Sequence, residues 1–443
     1  MISLIFPSPR YGQLVEALSH DALESAAILL CQPVSATGGN VRLLVRDIRI
    51  AGSADYLERS ATSVSLATSF CLAAEQRAVR EGLSLVYCHT HLHDGAPAFS
   101  SIDDVAELEL KSYLAARRAA GPHGALVFSR DQVIARRLGE IEPIQVIEIG
   151  PEFLVRTGAE VGSAKELHDR QVRAFGPDGQ ARIAAMRVAV VGLGGTGSLV
   201  LQQLAHLGVR RFVLVDPDVV EVSNLNRLVG AVAADVGLTP KVGVAERLIR
   251  SLTPDAEILS FNADVTRPEV AEGAAGADLI FSCTDTHASR HVLNQIAYQY
   301  IVPVFDMGVS ITATEHGAQL AGHAKMLAPG LPCLWCARHL SADEVRREMM
   351  TDVQRAADPY FQGGTGVVQP SVISLNGTMA SLAVTMFLSA VAGVPSPPRY
   401  LSYDGNRGRV NALEAKAEPG CPFCGEDAPI GWGGAAPLPV RNG

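Results

Sequence analysis

Residues 187–227 constrain the fold more than any other stretch of the chain. Arg187-Val-Ala-Val-Val191 runs directly into Gly192-Leu-Gly-Gly-Thr-Gly197. The pattern predicts a strand, a glycine turn, a helix at 199–207 and a second apolar strand at 211–215 that ends in Asp216. This is one βαβ nucleotide-binding unit. The glycines let backbone N–H groups and the helix N-terminus approach a phosphate, and the acid past the second strand can bind a ribose hydroxyl. Such a turn alone says only "nucleotide". Ser223-Asn-Leu-Asn-Arg227 narrows it, because an arginine eleven residues after Asp216 has no use in a dehydrogenase.

With these motifs, residues 165–428 resemble the ThiF/MoeB/HesA adenylyltransferases, the activating enzymes of ubiquitin and its bacterial relatives. Arg170-Gln171, Phe175-Gly176 and Gly179-Gln180 resemble the family's opening helix, and Gly192, Gly194, Gly195 and Gly197 its ATP loop. The resemblance implies Asp216 as the ribose acid. It places Asn224, Asn226, Arg227 and Lys241 at the nucleotide, with the two cations on its phosphates. Cys283-Thr-Asp285, followed by Arg290 and Asn294, corresponds to the strand end whose aspartate handles magnesium.

The residue chemistry agrees. Adenylating a carboxylate needs cations on the phosphates, a carboxylate on the metal and a glycine cradle. Arg227, Lys241, Asp285 and the glycine turn supply them. The chain has only five lysines, so Lys241 at the motif position stands out from a generic surface charge. Singly, Asp285 can cap a helix and Arg227 can make a surface salt bridge; together and in order they indicate adenylation with ATP and Mg2+. A nucleotide-dependent oxidoreductase would leave Arg227, Lys241 and the cysteine pairs unexplained.

Four of the eight cysteines form two Cys-x-x-Cys pairs, Cys333/Cys336 and Cys421/Cys424. Two such knuckles can make a tetrahedral tetrathiolate zinc site; a redox pair is the alternative. The gap between them exceeds that of a zinc ribbon. The resemblance accounts for it, since many family members clip the C-terminus to the middle of the domain in this way. Cys31, Cys71, Cys88 and Cys283 lie in apolar runs and read as buried small hydrophobes. Between Cys336 and Cys421 there is no cysteine, although thioester-forming members of the family carry one in that loop. Either the adenylate passes directly to an acceptor, or a hydroxyl such as Thr365, Ser371 or Ser374 takes the acyl group. Capping and turn bonding are the ordinary roles of such hydroxyls.

A second constellation is Tyr87-Cys-His-Thr-His91, followed by Ser100-Ser-Ile-Asp103-Asp104. Leu83, Leu85 and Tyr87 alternate as in a strand, so His89 and His91 share one face. Two imidazoles and a carboxylate, Asp103, can hold zinc and leave one position for water. Glu24 is the candidate general base. The order of glutamate, His-x-His and Ser-x-x-Asp resembles the JAB/JAMM (MPN) metalloproteases over residues 1–140, with Ser100 as the serine. Those enzymes cleave isopeptide or peptide bonds after the tail of ubiquitin-like proteins. The set His91, His93, Ser101 and Asp104 restores the family's commonest spacing; His89, His91 and Asp103 match its strand better. A metal-free binding module is the alternative for this half.

Length suggests two or three domains. The boundaries expected are 1–150 for a JAB/MPN-like α/β domain and 160–443 for a Rossmann-like, doubly wound adenylyltransferase domain, joined near 150–165. A net charge of −9 and a pI near 5.8 argue against nucleic acid as a partner. The uncharged stretch 372–394 is long enough to span a bilayer, but its Ser, Asn, Gly and Thr residues make it a core helix. The residues from 431 onward, rich in Gly and Pro, are expected to fray. The N-terminus lacks a basic start, so no signal peptide, no membrane attachment and a cytoplasmic location are expected. The resemblances imply a ubiquitin-like protein as partner, an E2-like conjugating protein downstream, and a homodimer in which Arg170 reaches the partner's ATP site.

Overall fold

The computed structural model of the chain describes all residues except 20, 21, 37, 118, 120, 131, 158–165, 316, 352–353, 355–369, 396–397 and 442–443. Thr365 and residues 158–165 of the expected linker therefore lie outside the described residues. The chain divides into two compact units. One comprises Met1–Glu160, Gln299–Ile301 and Pro429–Pro437; the other comprises Val161–Tyr298, Val302–Ala428 and Leu438–Gly443.

The first unit is built on an eight-stranded mixed sheet. Its spatial order is Phe153–Val155, Ile144–Ile149, Ile2–Pro7, Asn40–Ile50, Ala26–Ala36, Ser84–Thr90, Gly124–Phe128 and Val133–Arg137. The strand Ala26–Ala36 is apolar on both faces over its first six residues, Ala26 to Cys31, because both faces are covered there. Ala27, Leu29 and Cys31 join one core, with Leu14 and Leu18 of the helix Ser8–Leu18. Ile28 and Leu30 join the other, with Phe70, Ala74 and Ala78 of the helix Thr68–Glu81 and Leu114 of Ser101–Ala116. Alternation along one strand thus feeds two layers of helix. Cys31 and Cys88 are buried as expected, whereas Cys71 is only half-buried.

The segment Pro429–Pro437 corrects the expectation of fraying. Arg10 donates to Ile430 O at 2.9 Å and to Val45 O at 3.0 Å. The Arg46 guanidinium lies 3.8 Å above the Trp432 ring. Gln299 Nε2 donates to Gly433 O at 2.6 Å and to Ala436 O at 2.7 Å. Composition marks such a tail as mobile, but its carbonyls find donors far away in sequence.

The second unit carries another eight-stranded sheet, ordered Glu257–Phe261, Arg211–Val215, Arg187–Val191, Leu279–Ser282, Val304–Thr314, Gly317–Leu327, Tyr400–Asp404 and Arg409–Ala412. The first five strands are parallel and the last three add antiparallel pairs. The helix after the strand Arg187–Val191 begins at Gly195, four residues before the position read from the apolar spacing. The glycine turn is itself the helix's first turn. Gly197 makes this possible: a Cβ there would lie 1.8 Å from Gly192 O. The helix Ile373–Ala392 is long and apolar enough to cross a membrane, yet 67% of its most apolar window is buried in the protein. Phe387 packs with Phe281 and Phe305 at ring separations of 5.8 and 6.1 Å, so this is a core helix.

The close approach at Gly197 sets up a paired test. Gly197→Ala must move backbone against backbone, and should cost about 3 kcal/mol or more, lowering the Tm by roughly 6 °C or more. Gly243→Ala, in the helix Lys241–Leu252 with its nearest neighbour at 3.4 Å, should instead raise stability by about 0.5–1 kcal/mol. Thermal melts of the two variants check both signs.

Candidate functional site

The glycine turn at 192–197 is the centre on which separate chain segments converge. Gly192, with φ of +88°, abuts the next parallel strand's end: a Cβ there would lie 2.7 Å from the carbonyl carbon and oxygen of Cys283 and 2.9 Å from Thr284 N. Asp285 follows that peptide, exposed in the loop between Leu279–Ser282 and the helix His287–Gln299. Gly194 caps the helix at its N-terminus and has open space where a side chain would go. At Gly195 a Cβ would lie 2.2 Å from Asn376 Nδ2 and 3.2 Å from Arg227 Cγ and Cδ. The cradle is thus backbone, roofed by an arginine stem and an amide.

Asp216 is 4% exposed. Leu193 N donates to its Oδ2 at 2.6 Å and Asp218 N to its Oδ1 at 2.9 Å. Burial pushes its carboxyl above the usual range, opposed by the Lys241 ammonium and these two N–H groups. Lys241 Nζ is 2.7 Å from Asp218 and 3.9 Å from Asp216. Arg227 donates to Ser223 O and, at 3.2 Å, to Asn226 Oδ1. Asn226 is exposed, while Asn224 is buried with its Oδ1 accepting from Glu221 N at 3.1 Å, so its side chain closes its own turn. Arg170 is exposed at the start of the helix Asp169–Ala185, and the described contacts of the glycine turn do not include it. Phe175 and Gly176 break that helix with non-helical dihedrals, so the motif marks a kink as well as a helix.

Two residues at this site escaped the sequence reading. Asn376, 1% exposed, stands out only as the one amide among the small hydroxyl residues of an uncharged, largely apolar helix. Asp218, the partner of Lys241, was visible as the second acid of Asp216-Pro-Asp218. Of the candidate hydroxyls, Ser371 exchanges hydrogen bonds with Asn376 at 3.1 and 3.4 Å, whereas Ser374 is exposed in the first turn of its helix.

The four knuckle cysteines converge, with all sulfurs within 4.8 Å of one another. Cys333 and Cys421 are 3.6 Å apart, as are Cys336 and Cys424. Disulfides would need about 2.05 Å. Sulfurs held tetrahedrally by zinc at about 2.3 Å stand roughly 3.8 Å apart, so the donor set fits zinc. Each knuckle is closed by backbone: Ala337 N donates to Cys333 O at 3.0 Å and Gly425 N to Cys421 O at 2.9 Å. Trp335 and Phe423, one inside each knuckle, stack at 5.8 Å and 10°.

His89, His91 and Asp103 form a second group whose donor atoms lie within 4.8 Å of one another. The Nε2 atoms of the histidines are 3.1 Å apart, and His89 Nε2 is 3.2 Å from Asp103 Oδ1. Although burial opposes it, hydrogen bonds from His89 and Ser100 hold Asp103 well below the usual carboxylate range. Ser100 N and Oγ donate to Asp103 at 2.6 and 2.8 Å, and Ser100 Oγ caps the helix Ser101–Ala116. The alternative set does not assemble in this way: Asp104 is paired with Arg136 at 2.7 Å, and His93 is exposed beside Asp94 O. The register Ala26 to His89 brings Glu24 to this end of the sheet. Glu24 is 6% exposed, and burial pushes its carboxyl up against the opposing influence of His89. A raised carboxyl beside a zinc-type donor set suits a proton-transfer role.

Comparison with known proteins bears on the second half. Residues 168–423, more than half the chain, match the ThiF family. The chain is 33% identical over 253 residues to the SAMP-activating enzyme E1 of Haloferax volcanii, covering 57% of this chain and 84% of that one. It is 31% identical over 261 residues to the molybdopterin-synthase adenylyltransferase of Escherichia coli K12, covering 58% and 96%. It is 28% identical over 261 residues to ubiquitin-like modifier-activating enzyme 5 of Arabidopsis thaliana, covering 55% and 56%. Residues 1–167 lie outside the family match. The chain belongs to the ThiF family, through an E1-like adenylyltransferase domain at residues 168–423.

Proposed function

We propose that the chain adenylates the C-terminal glycine of a ubiquitin-like protein with ATP, and that its first 150 residues form a zinc peptidase or isopeptidase acting on the same protein. The observation that carries the first part is the convergence of Arg227, Asn376 and the Cys283–Thr284 peptide on the glycines of the turn at 192–197. The names of the relatives, activating enzymes and adenylyltransferases, support it. The glycine carboxylate attacks the α-phosphorus, the bond to the bridging oxygen breaks, and pyrophosphate leaves, yielding an acyl adenylate. Backbone N–H groups of the turn bind phosphate oxygens, Arg227 and Lys241 bring positive charge, and Asp216 orients the ribose. Asp285 would hold Mg2+, which supplies charge to the departing pyrophosphate.

In the first unit, His89, His91 and Asp103 would hold zinc, which supplies Lewis acidity at the scissile carbonyl. Glu24 takes the proton of the attacking water and passes it to the leaving amine. Ser100 keeps Asp103 ionised and aimed. The four-cysteine cluster would hold a structural zinc ion. On this reading the enzyme is a cytoplasmic homodimer with Arg170 completing the neighbouring ATP site, and the activated protein goes on to conjugation, through an E2-like protein, in a bacterial antiviral pathway. Sulfur transfer for cofactor synthesis is the second reading, favoured by the likeness to the molybdopterin-synthase adenylyltransferase.

ATP–pyrophosphate exchange with a glycine-terminated ubiquitin-like protein tests the adenylation. Asp285→Ala should lower exchange by about 100-fold or more, and removing the terminal glycine should abolish it. Exchange unaffected by either change would refute the assignment. Metal analysis tests the clusters separately: about two zinc per chain are expected, falling to about one in His89→Ala with exchange intact, and to about one in Cys421→Ser with a lowered Tm. Glu24→Gln should keep both zinc ions and lose cleavage of a ubiquitin-like fusion.

A further inference from the structure

The strand beside the Asp285 loop contains a carboxylate that packing does not require. Asp306 is completely buried, flanked in Val304–Thr314 by Phe305 and Met307. It pairs in register with Ser282, whose hydroxyl donates to Asp306 Oδ1 at 2.7 Å. Arg290 Nε is 3.3 Å from the same oxygen, and Arg290 also donates to Met307 O at 3.2 Å. His323 Nε2 is 3.0 Å from Oδ2. Although burial opposes it, Arg290 and His323 hold this carboxyl well below the usual range. Apolar residues often replace a buried ion group at no loss of stability, so a charge kept here points to a positioning task.

The partners define that task. Ser282 immediately precedes Cys283-Thr284-Asp285, and Arg290 lies in the helix that follows. One carboxylate therefore grips both ends of the loop that carries Asp285. Gly192 bears on the same loop at the Cys283 to Thr284 peptide. Gly308 completes the arrangement: a Cβ there would lie 2.6 Å from His323 Cε1 and 2.8 Å from Arg290 Nη2, so its absence leaves room for both groups beside Asp306.

We propose that Asp306 is a positioning residue for adenylation, which locks the Asp285 loop against the glycine turn through Ser282 and Arg290, with His323 as its second partner. This inference rests on the assignment of Asp285 proposed above. A misplacement of about 1 Å at a reacting group can cost on the order of 100-fold in rate, so such a lock has consequences for turnover.

A double-mutant cycle in ATP–pyrophosphate exchange tests it, using the full chain as wild type, Asp306→Asn, Asp285→Asn and the double variant. Asp306→Asn alone should lower kcat by about tenfold or more and change the KM for ATP by less than about twofold. In the Asp285→Asn background the same change should add less than about a further twofold, because both act through one group. Losses that multiply fully, or an unchanged kcat in Asp306→Asn, would overturn the inference and leave the adenylation reading standing. Wild-type exchange in Asp285→Asn would overturn the assignment of Asp285 and the inference with it. If thermal melts show Asp306→Asn unfolded, Ser282→Ala, which removes a single hydrogen bond, goes through the same cycle. A loss of about threefold in kcat that vanishes in the Asp285→Asn background supports the lock; a loss that persists, or none, refutes it.

Discussion

The turn at 192–197 brings backbone to within reach of backbone, and the second unit's site is arranged around that contact. With no side chain at Gly197, the helix can start against Gly192 O; with none at Gly192, the Cys283–Thr284 peptide can close on it; with none at Gly195, Arg227 and Asn376 can cover it. A methyl group would come within 3.0 Å of Gly192 O, of the Cys283 carbonyl and of the Asn376 amide, and would press the Arg227 stem at 3.2 Å. The result is a cradle of N–H groups at a helix N-terminus, where a polyanion is favoured by both hydrogen bonding and the helix dipole. Around it Lys241 rests on Asp218, and the buried Asp216 accepts from two backbone donors.

The two metal-type clusters illustrate different ways of bringing donors together. In the cysteine cluster each pair is local, and the aromatic residue inside each knuckle stacks on the other, so apolar packing aligns the two halves. In the histidine cluster the imidazoles come from one strand end and the carboxylate from a helix start. Ser100 does two things there: it caps the helix and donates to Asp103, so the geometry that begins the helix also orients the ligand. Asp306 follows the same logic without a metal-type partner, since one buried acceptor ties a strand end to a helix start.

Much of this was legible in the sequence. The strands at 187–191 and 211–215 were read from their apolar runs and the glycine turn between them, and 372–394 was read as a core helix from the polar residues within it. The helix start was misplaced by four residues, because apolar spacing is silent where the first turn is glycine. The tail was misread because composition records how freely a segment moves alone and says nothing of Arg10 and Gln299 waiting for its carbonyls. Asn376 and Asp306 were missed because each carries its meaning in a neighbour distant along the chain.

The sequence by itself determined the local units: glycine spacing for the turn, Cys-x-x-Cys for each knuckle, His-x-His on one face of a strand. These depend on dihedral freedom and on side-chain period, which act over a few residues. Tertiary structure decided which units meet. It gave Asp103 to the histidines and Asp104 to Arg136, although the two acids are adjacent in the chain and chemically alike. It made Asp306 a buried anion between Ser282, Arg290 and His323. The physical reason is that burial and charge pairing are properties of a place in three dimensions, and a residue acquires them only when distant segments have packed around it.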